Sequence, residues 1–390
     1  MAAPTTTLVT APSVASFLAA RWRRWTVDPS PVGIPAARRT LALAGKVALD
    51  EILLAAMIAS VRLPSRAERR RISREVGDAL QLFDARGWLA RPQTFHEAPP
   101  PLERVTLRRA AAGGQGFTHM MFESEYEPRA EEPGRARWLK RRANRTAHAW
   151  VLRHPGRPRP WLVCIHGYGM GLPVADFGGF RAETLSRVLG LNLVFPVLAL
   201  HGPRREGTRS GQGFVTGDHL DTIHAEAQAM WDIRRILSWI RCQGEGGVGV
   251  YGLSLGGYNA ALLAGLDREL ACVIAGVPAI CFAEFMREHV PLILLRDPRA
   301  AELMCDSAER LLRVVSPLSL SPMVSWEGRF VFGGVADRFI PPAHVHRLWE
   351  HWSRPRVAWY QGSHVTFQWE RGIQEFIEEA LRAGGLIGAR

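Results

Sequence analysis

The sequence predicts an α/β protein, a mainly parallel sheet flanked by helices, and two observations carry the prediction. From Trp161 onward six apolar runs of strand length follow one another: Trp161–Ile165, Leu191–Val197, Val248–Tyr251, Leu270–Ile274, Arg329–Phe332 and Val357–Tyr360. Helical stretches lie between and after them, at Ala182–Leu189, Asp221–Arg241, Leu255–Leu266, Pro342–His351 and Glu370–Arg382. Strands that are apolar on every residue are covered on both faces, which is the environment of a parallel sheet between helical layers. Right-handed crossovers then set most of the topology.

The first hundred residues have a different texture. Ala36–Val61 is rich in Ala and Leu, and Arg66–Trp88 places Ile72, Val76, Leu80 and Phe83 near helical spacing. The Pro99-Pro100-Pro101 run ends this helical region. An N-terminal helical extension over 1–100 and a second domain over 101–390 are therefore expected. Leu102–Arg108 and Thr146–Leu152 alternate well enough to be an antiparallel opening pair. At about 278–323 the strand–helix alternation stops. That segment contains Phe282, Phe285 and the apolar stretch from Val290, and reads as a cap inserted above the sheet.

Bulk properties exclude some classes. With 390 residues, 47% of them hydrophobic and 22% charged, the chain can bury a large core. The net charge of +12 is carried by arginine, since lysine occurs only at Lys46 and Lys140. With abundant Ala, Gly and Pro this is the coding bias of a GC-rich genome, and no nucleic-acid-binding motif accompanies it. Five cysteines without a CxxC pair, two of them inside apolar runs (Cys164, Cys272), fit free thiols in a reducing compartment. The N-terminus lacks the pattern of a secretory signal. Leu41–Val61 carries Lys46, Asp50 and Glu51, which argues against a membrane span. A cytoplasmic protein is the expectation. The arginine-rich stretches Arg66–Arg74 and Arg135–Arg145, and the Trp22–Trp25 cluster, are read as solvated surface in preference to peripheral membrane contacts.

The chemistry concentrates at Gly252-Leu-Ser254-Leu-Gly256, which a strand enters and a helix leaves. Glycines two positions either side of the serine permit a turn too tight for side chains, with the hydroxyl projecting above the sheet and a helix N-terminus beside it. Strand Trp161–Ile165 runs into His166-Gly-Tyr-Gly169. Strand Arg329–Phe332 runs through two glycines to Asp337, with Pro341 close behind. Strand Val357–Tyr360 runs into Gln361-Gly-Ser-His364. Loops at the carboxyl ends of parallel strands lie together in space.

Together these motifs resemble the α/β-hydrolase superfamily over about Trp161 to Leu381, in particular its serine esterase, lipase-like and abhydrolase-domain members. The resemblance implies Ser254 as nucleophile, His364 as base and Asp337 as the acid that orients it. The backbone N–H groups of Tyr168 (or Gly169) and Leu255 are implied as the oxyanion hole, with His166 a structural hydrogen-bonding residue. No cofactor and no metal are implied. Asp218, His219, Asp221 and His224 are metal-capable, but the histidines are five apart, and Gly217-Asp218 reads as a helix start. Glu284 and Asp306 are the alternative acids. The expected reaction is hydrolysis of a carboxylic ester, from a small molecule or a lipid, with a hydrophobic acyl group. Thioesterase, amidase or peptidase action by the same residues is an alternative, as is a non-catalytic binding protein.

Overall fold

The computed structural model describes residues 33–388 except 157, 215–217, 245 and 295–305. The Trp22–Trp25 cluster, Cys305 and the middle of the expected cap lie outside the described residues. Among the described residues nine strands form one sheet in the order β1-β2-β3-β5-β4-β6-β7-β8-β9. They are β1 (Thr106–Ala112), β2 (Gln115–Glu123), β3 (Thr146–Leu152), β4 (Trp161–Ile165), β5 (Asn192–Pro196), β6 (Val248–Leu253), β7 (Cys272–Gly276), β8 (Arg329–Gly334) and β9 (Arg356–Tyr360). The pairs among β1, β2, β3 and β5 are antiparallel, and those from β5 through β9 are parallel.

Every residue of β4, β5, β6 and β7 is buried. Alternate side chains serve opposite faces, as pleating requires. In β4, Trp161, Val163 and Ile165 join one apolar cluster while Leu162 and Cys164 join another. The first face is covered by helices over His219–Arg241 and Leu255–Ala264, the second by those over Pro173–Gly179 and Arg371–Ala383. Among the described residues Cys164, Cys242, Cys272 and Cys281 are free.

In chain order the helices are α1 (Leu41–Ser60), α2 (Arg66–Ala85), α3 (Arg135–Leu139), α4 (Pro173–Gly179), α5 (His219–Arg241), α6 (Leu255–Ala264), α7 (Phe282–Leu294), α8 (Asp306–Leu312), α9 (Pro342–His351) and α10 (Arg371–Ala383). None in the described residues is long and apolar enough to cross a membrane.

Two local expectations are corrected. The opening strands are not a direct pair, because β2 lies between them and pairs with both. Gly113 and Gly114, at φ 56° and 78°, close the two-residue hairpin from β1 to β2, a backbone shape that favours glycine at both positions. The helix expected at Ala182–Leu189 is one π-helical turn, Thr184–Val188, and the regular helix in this crossover is α4. With proline at N1 and only seven residues, α4 is too short to show a helical period.

The N-terminal helices pack on the sheet domain. Ser65 and Glu68 form a capping box at the start of α2. Its buried side chains Ile72, Val76, Ala79 and Phe83 join the main core beside α5 and α8. Nearly every residue of α5 is buried, since α2 forms a further layer outside it. The arginine-rich stretches supply much of that contact. Arg71 and Arg137 both reach Glu75 and Asp218, and Arg137 and Arg141 both bind Asp221. These three arginines bridge α2, the α3 region and α5 rather than lying in solvent. The insertion between β7 and β8 divides in the same way. Phe282 and Phe285 of α7 face the site described below, whereas α8 and the turn after it lie against α2, α5 and α6.

Phe83 is fully buried, with Trp88 and Phe95 at ring separations of 5.1 and 5.4 Å. Phe83→Ala is expected to lower unfolding free energy by about 3–5 kcal/mol, measured by urea denaturation. A loss below about 1 kcal/mol would mean that α2 is not part of the cooperative core.

Candidate active site

The site is built where β6 turns into α6. Ser254 has φ 56° and ψ −113°, a strained conformation for a non-glycine residue. Its backbone is held by the bond from Ser254 N to Gly276 O (2.9 Å) and by Tyr258 N donating to Ser254 O (3.0 Å). The flanking glycines are required by contact. A Cβ at Gly252 would sit 1.9 Å from Gly256 O, and one at Gly256 would sit 1.8 Å from Ile165 O. The turn is thus wedged against the end of β4.

The loops after β8 and β9 bring the other two residues to this turn. His364 Nε2 lies 2.9 Å from Ser254 Oγ, and His364 Nδ1 lies 2.6 Å from Asp337 Oδ2. The second carboxylate oxygen of Asp337 accepts from Phe339 N (2.9 Å) and Ile340 N (2.8 Å), which fixes its plane. Phe339 stacks on the imidazole at 5.0 Å. Burial alone would push the His364 imidazole down. The charge and hydrogen bond of Asp337, with the charge of Asp50, outweigh it and hold the group above its ordinary 6.5.

Tyr168 and Leu255 both line the cavity at Ser254. Leu255 is the first residue of α6, where an N–H has no intrahelical acceptor. The turn carrying Tyr168 is tied from beneath. His166 is fully buried, its Nδ1 2.8 Å from Gly167 O and its Nε2 accepting from Leu198 N at 3.1 Å. Asp176 of α4 accepts from Gly171 N and from the Trp150 indole, each at 2.9 Å. His166 therefore joins the turns after β4 and β5.

The other candidates lie elsewhere. Glu284 pairs with Arg347 and approaches His344 at 3.4 Å. Asp306 begins α8 and is exposed. Asp218 is the N-cap of α5, and both it and Asp221 are engaged with arginines. No group of three or more metal-capable side chains is assembled among the described residues.

Sequence reasoning missed Asp50. This residue of α1 is fully buried and accepts from His364 N (2.7 Å), Arg338 N (3.0 Å) and Val365 N (3.4 Å). A signal was present. Leu43, Val47, Asp50, Leu54 and Ile58 recur at helical spacing and are the buried stripe of α1, so Asp50 occupies a core position of an apolar helix.

Above Ser254 opens a cavity of about 940 Å³, walled mainly by apolar side chains. Leu53 and Met57 of α1, Phe282 and Phe285 of α7, and Met170 and Phe214 are among them, while Arg209 and Gln368 add polar character.

The strand order, the turn at Ser254 and the positions of Asp337 and His364 follow the α/β-hydrolase fold. Among solved structures, acetyl xylan esterase 1 from Thermoanaerobacterium sp. JW/SL YS485 is similar in fold, with TM-score 0.51 and 16% identity over 77% of this chain and 93% of that one. No family model matches the chain. Two uncharacterized proteins, from two strains of Mycobacterium tuberculosis, are each 44% identical over 375 residues, 96% of this chain and 90% of theirs. The chain is a member of the same family as these mycobacterial proteins.

Gly256→Ala is expected to destabilise the fold by about 3 kcal/mol, the upper end of the usual overpacking cost, because the atoms its Cβ would strike are backbone and cannot rotate away. Urea denaturation reads this, and a wild-type midpoint in the variant would show that the turn is looser than its geometry implies.

Proposed function

We propose that the protein is a serine hydrolase that cleaves carboxylic esters with a hydrophobic acyl group. The observation that carries the reading is the hydrogen-bonded series Ser254–His364–Asp337 at the floor of an apolar cavity. A serine hydroxyl is a weak nucleophile until a base removes its proton. His364 Nε2 is placed to take that proton as Oγ attacks the ester carbonyl, and Asp337 holds the ring in the tautomer that leaves Nε2 free. The tetrahedral oxyanion is received by the N–H groups of Leu255 and Tyr168. His364 then gives its proton to the departing alkoxide, leaving an acyl group on Ser254. Water, activated by the same imidazole, releases the acid. The substrate is a small-molecule or lipid ester. These residues would act on a thioester by the same steps, so matched oxygen and thiol esters belong in one assay.

Purified protein is expected to hydrolyse p-nitrophenyl esters and to be labelled by a fluorophosphonate at Ser254. Ser254→Ala should lower kcat by roughly four orders of magnitude or more, and Asp337→Asn by about 10⁴-fold, with His364→Ala comparable to the first. Undiminished turnover in Ser254→Ala would reject the mechanism. Across acetyl, butyryl and octanoyl esters kcat/KM should rise by about fourfold per buried methylene, the equivalent of ~0.8 kcal/mol. A flat or falling series would point to a small or polar acyl group instead.

The pH dependence follows from His364. The base must be neutral to accept the serine proton, and its folded pKa lies above 6.5. Activity should therefore fall as pH drops through a midpoint above 6.5, and a midpoint at or below 6.5 in the kcat/KM profile would contradict the environment assigned to the imidazole.

A further inference from the structure

Asp50 lies outside every strand-end loop of the sheet, yet it touches the backbone of both loops that hold the acid and the base. Its Oδ2 accepts from Arg338 N (3.0 Å), beside Asp337, and from His364 N (2.7 Å), while Oδ1 faces Val365 N (3.4 Å). Next to the strand ends the two loops are joined directly, by Val335 N donating to Tyr360 O (3.0 Å) and Ala336 N donating to Gly362 O (3.1 Å). Farther out, at Arg338 and His364 themselves, the Asp50 carboxylate continues that connection and so bears on the approach of Asp337 to His364.

We propose that Asp50 is a positioning residue for the hydrolytic reaction: α1 carries it into the gap between the acid and base loops, where it clamps their main chains together. The inference rests on the serine-hydrolase reading above. The helix is held in place on both sides of Asp50. Leu43 and Val47 pack on Val335 and Ala336 of the acid loop, and Leu54 and Ile58 pack near Met286 and Phe339. Lys46 adds bonds to Gln361 O (3.1 Å) and to Glu370. Leu53 and Met57, on the next turns, wall the cavity. The same helix thus shapes the substrate space and braces the residues beneath it.

Asp50 also acts on charge. It is a second carboxylate near the imidazole, and its field favours the protonated ring. Burial and the charge of Asp337 raise the carboxyl of Asp50, against the pull of the His364 charge and of the His364 and Arg338 backbone N–H groups. The groups facing this cluster are Asp337 and Arg338 from the acid loop, Tyr360 at the end of β9, Lys46 and Glu51 on α1, Glu370 before α10 and His344 on α9. Replacing Asp50 with a neutral residue removes one negative charge from His364 and leaves Asp337 in place. The histidine pKa then falls, and the acid limb of the rate profile moves to lower pH.

The test compares wild type, Asp50→Asn and Asp50→Ser with p-nitrophenyl butyrate as substrate. Folded protein is verified by circular dichroism, and reactive serine is counted by fluorophosphonate titration. Both variants are expected to lose tenfold or more in kcat with KM within twofold of wild type, and to shift the acid limb of kcat/KM downward. Wild-type kcat and an unmoved acid limb in a folded variant would overturn the clamp. Recovery of neither variant as folded protein would overturn it too, in favour of a purely structural carboxylate. Wild-type protein that neither turns over the ester nor takes the label would instead reject the hydrolase reading itself.

Discussion

Backbone-on-backbone contact at the end of β6 is the constraint on which the rest of the site depends. The carbonyl of Gly256 passes close over Gly252, and Gly256 itself lies against the carbonyl of Ile165. Only glycine leaves room for either approach. This wedge forces Ser254 to positive φ, aims its side chain out of the sheet and starts α6 at once, so that the first free N–H of that helix lies beside the hydroxyl. The strain is sustained by the surrounding sheet, where β6 is paired on both sides and fully buried.

Around this point the protein uses buried polar groups as fasteners between loops. His166 joins the turns after β4 and β5, Asp176 holds the turn at Gly171, and Asp50 joins the segments after β8 and β9. Each satisfies main-chain N–H groups that would otherwise be costly to bury. Loops at the carboxyl end of a parallel sheet have no ladder of their own, so such side chains supply the order that a functional site needs.

The sheet from β4 to β9 was legible because its strands are apolar over most of their length and most are separated by helical stretches. Ser254 was legible from its glycines, and Asp337 and His364 from the strand ends they follow. The limits are equally physical. β2 was hidden because its neighbour across the Gly113–Gly114 turn is an edge strand with an exposed face, and a half-solvated hairpin has a weak apolar signature. The arginines of α2 and the α3 region look like solvated surface in one dimension, since their carboxylate partners on α5 lie about eighty to one hundred and fifty positions away. Asp50 was read as a charge that spoils a membrane helix. Its partners lie some three hundred residues downstream, and no local pattern records a contact of that range.

That separation bears on how the molecule comes together. Asp50 meets its three backbone donors across 288, 314 and 315 residues of chain. Contacts of this kind contribute only after the intervening loop has been closed, and they belong late in a folding reaction. On the ribosome α1 emerges long before β8 and β9 exist, and Leu43 and Val47 of its stripe meet Val335 and Ala336 only once β8 has been made. The strands around Ser254 can thus form before the loops bearing Asp337 and His364 are braced, so the three side chains are brought together only after β8 and β9 have joined the sheet.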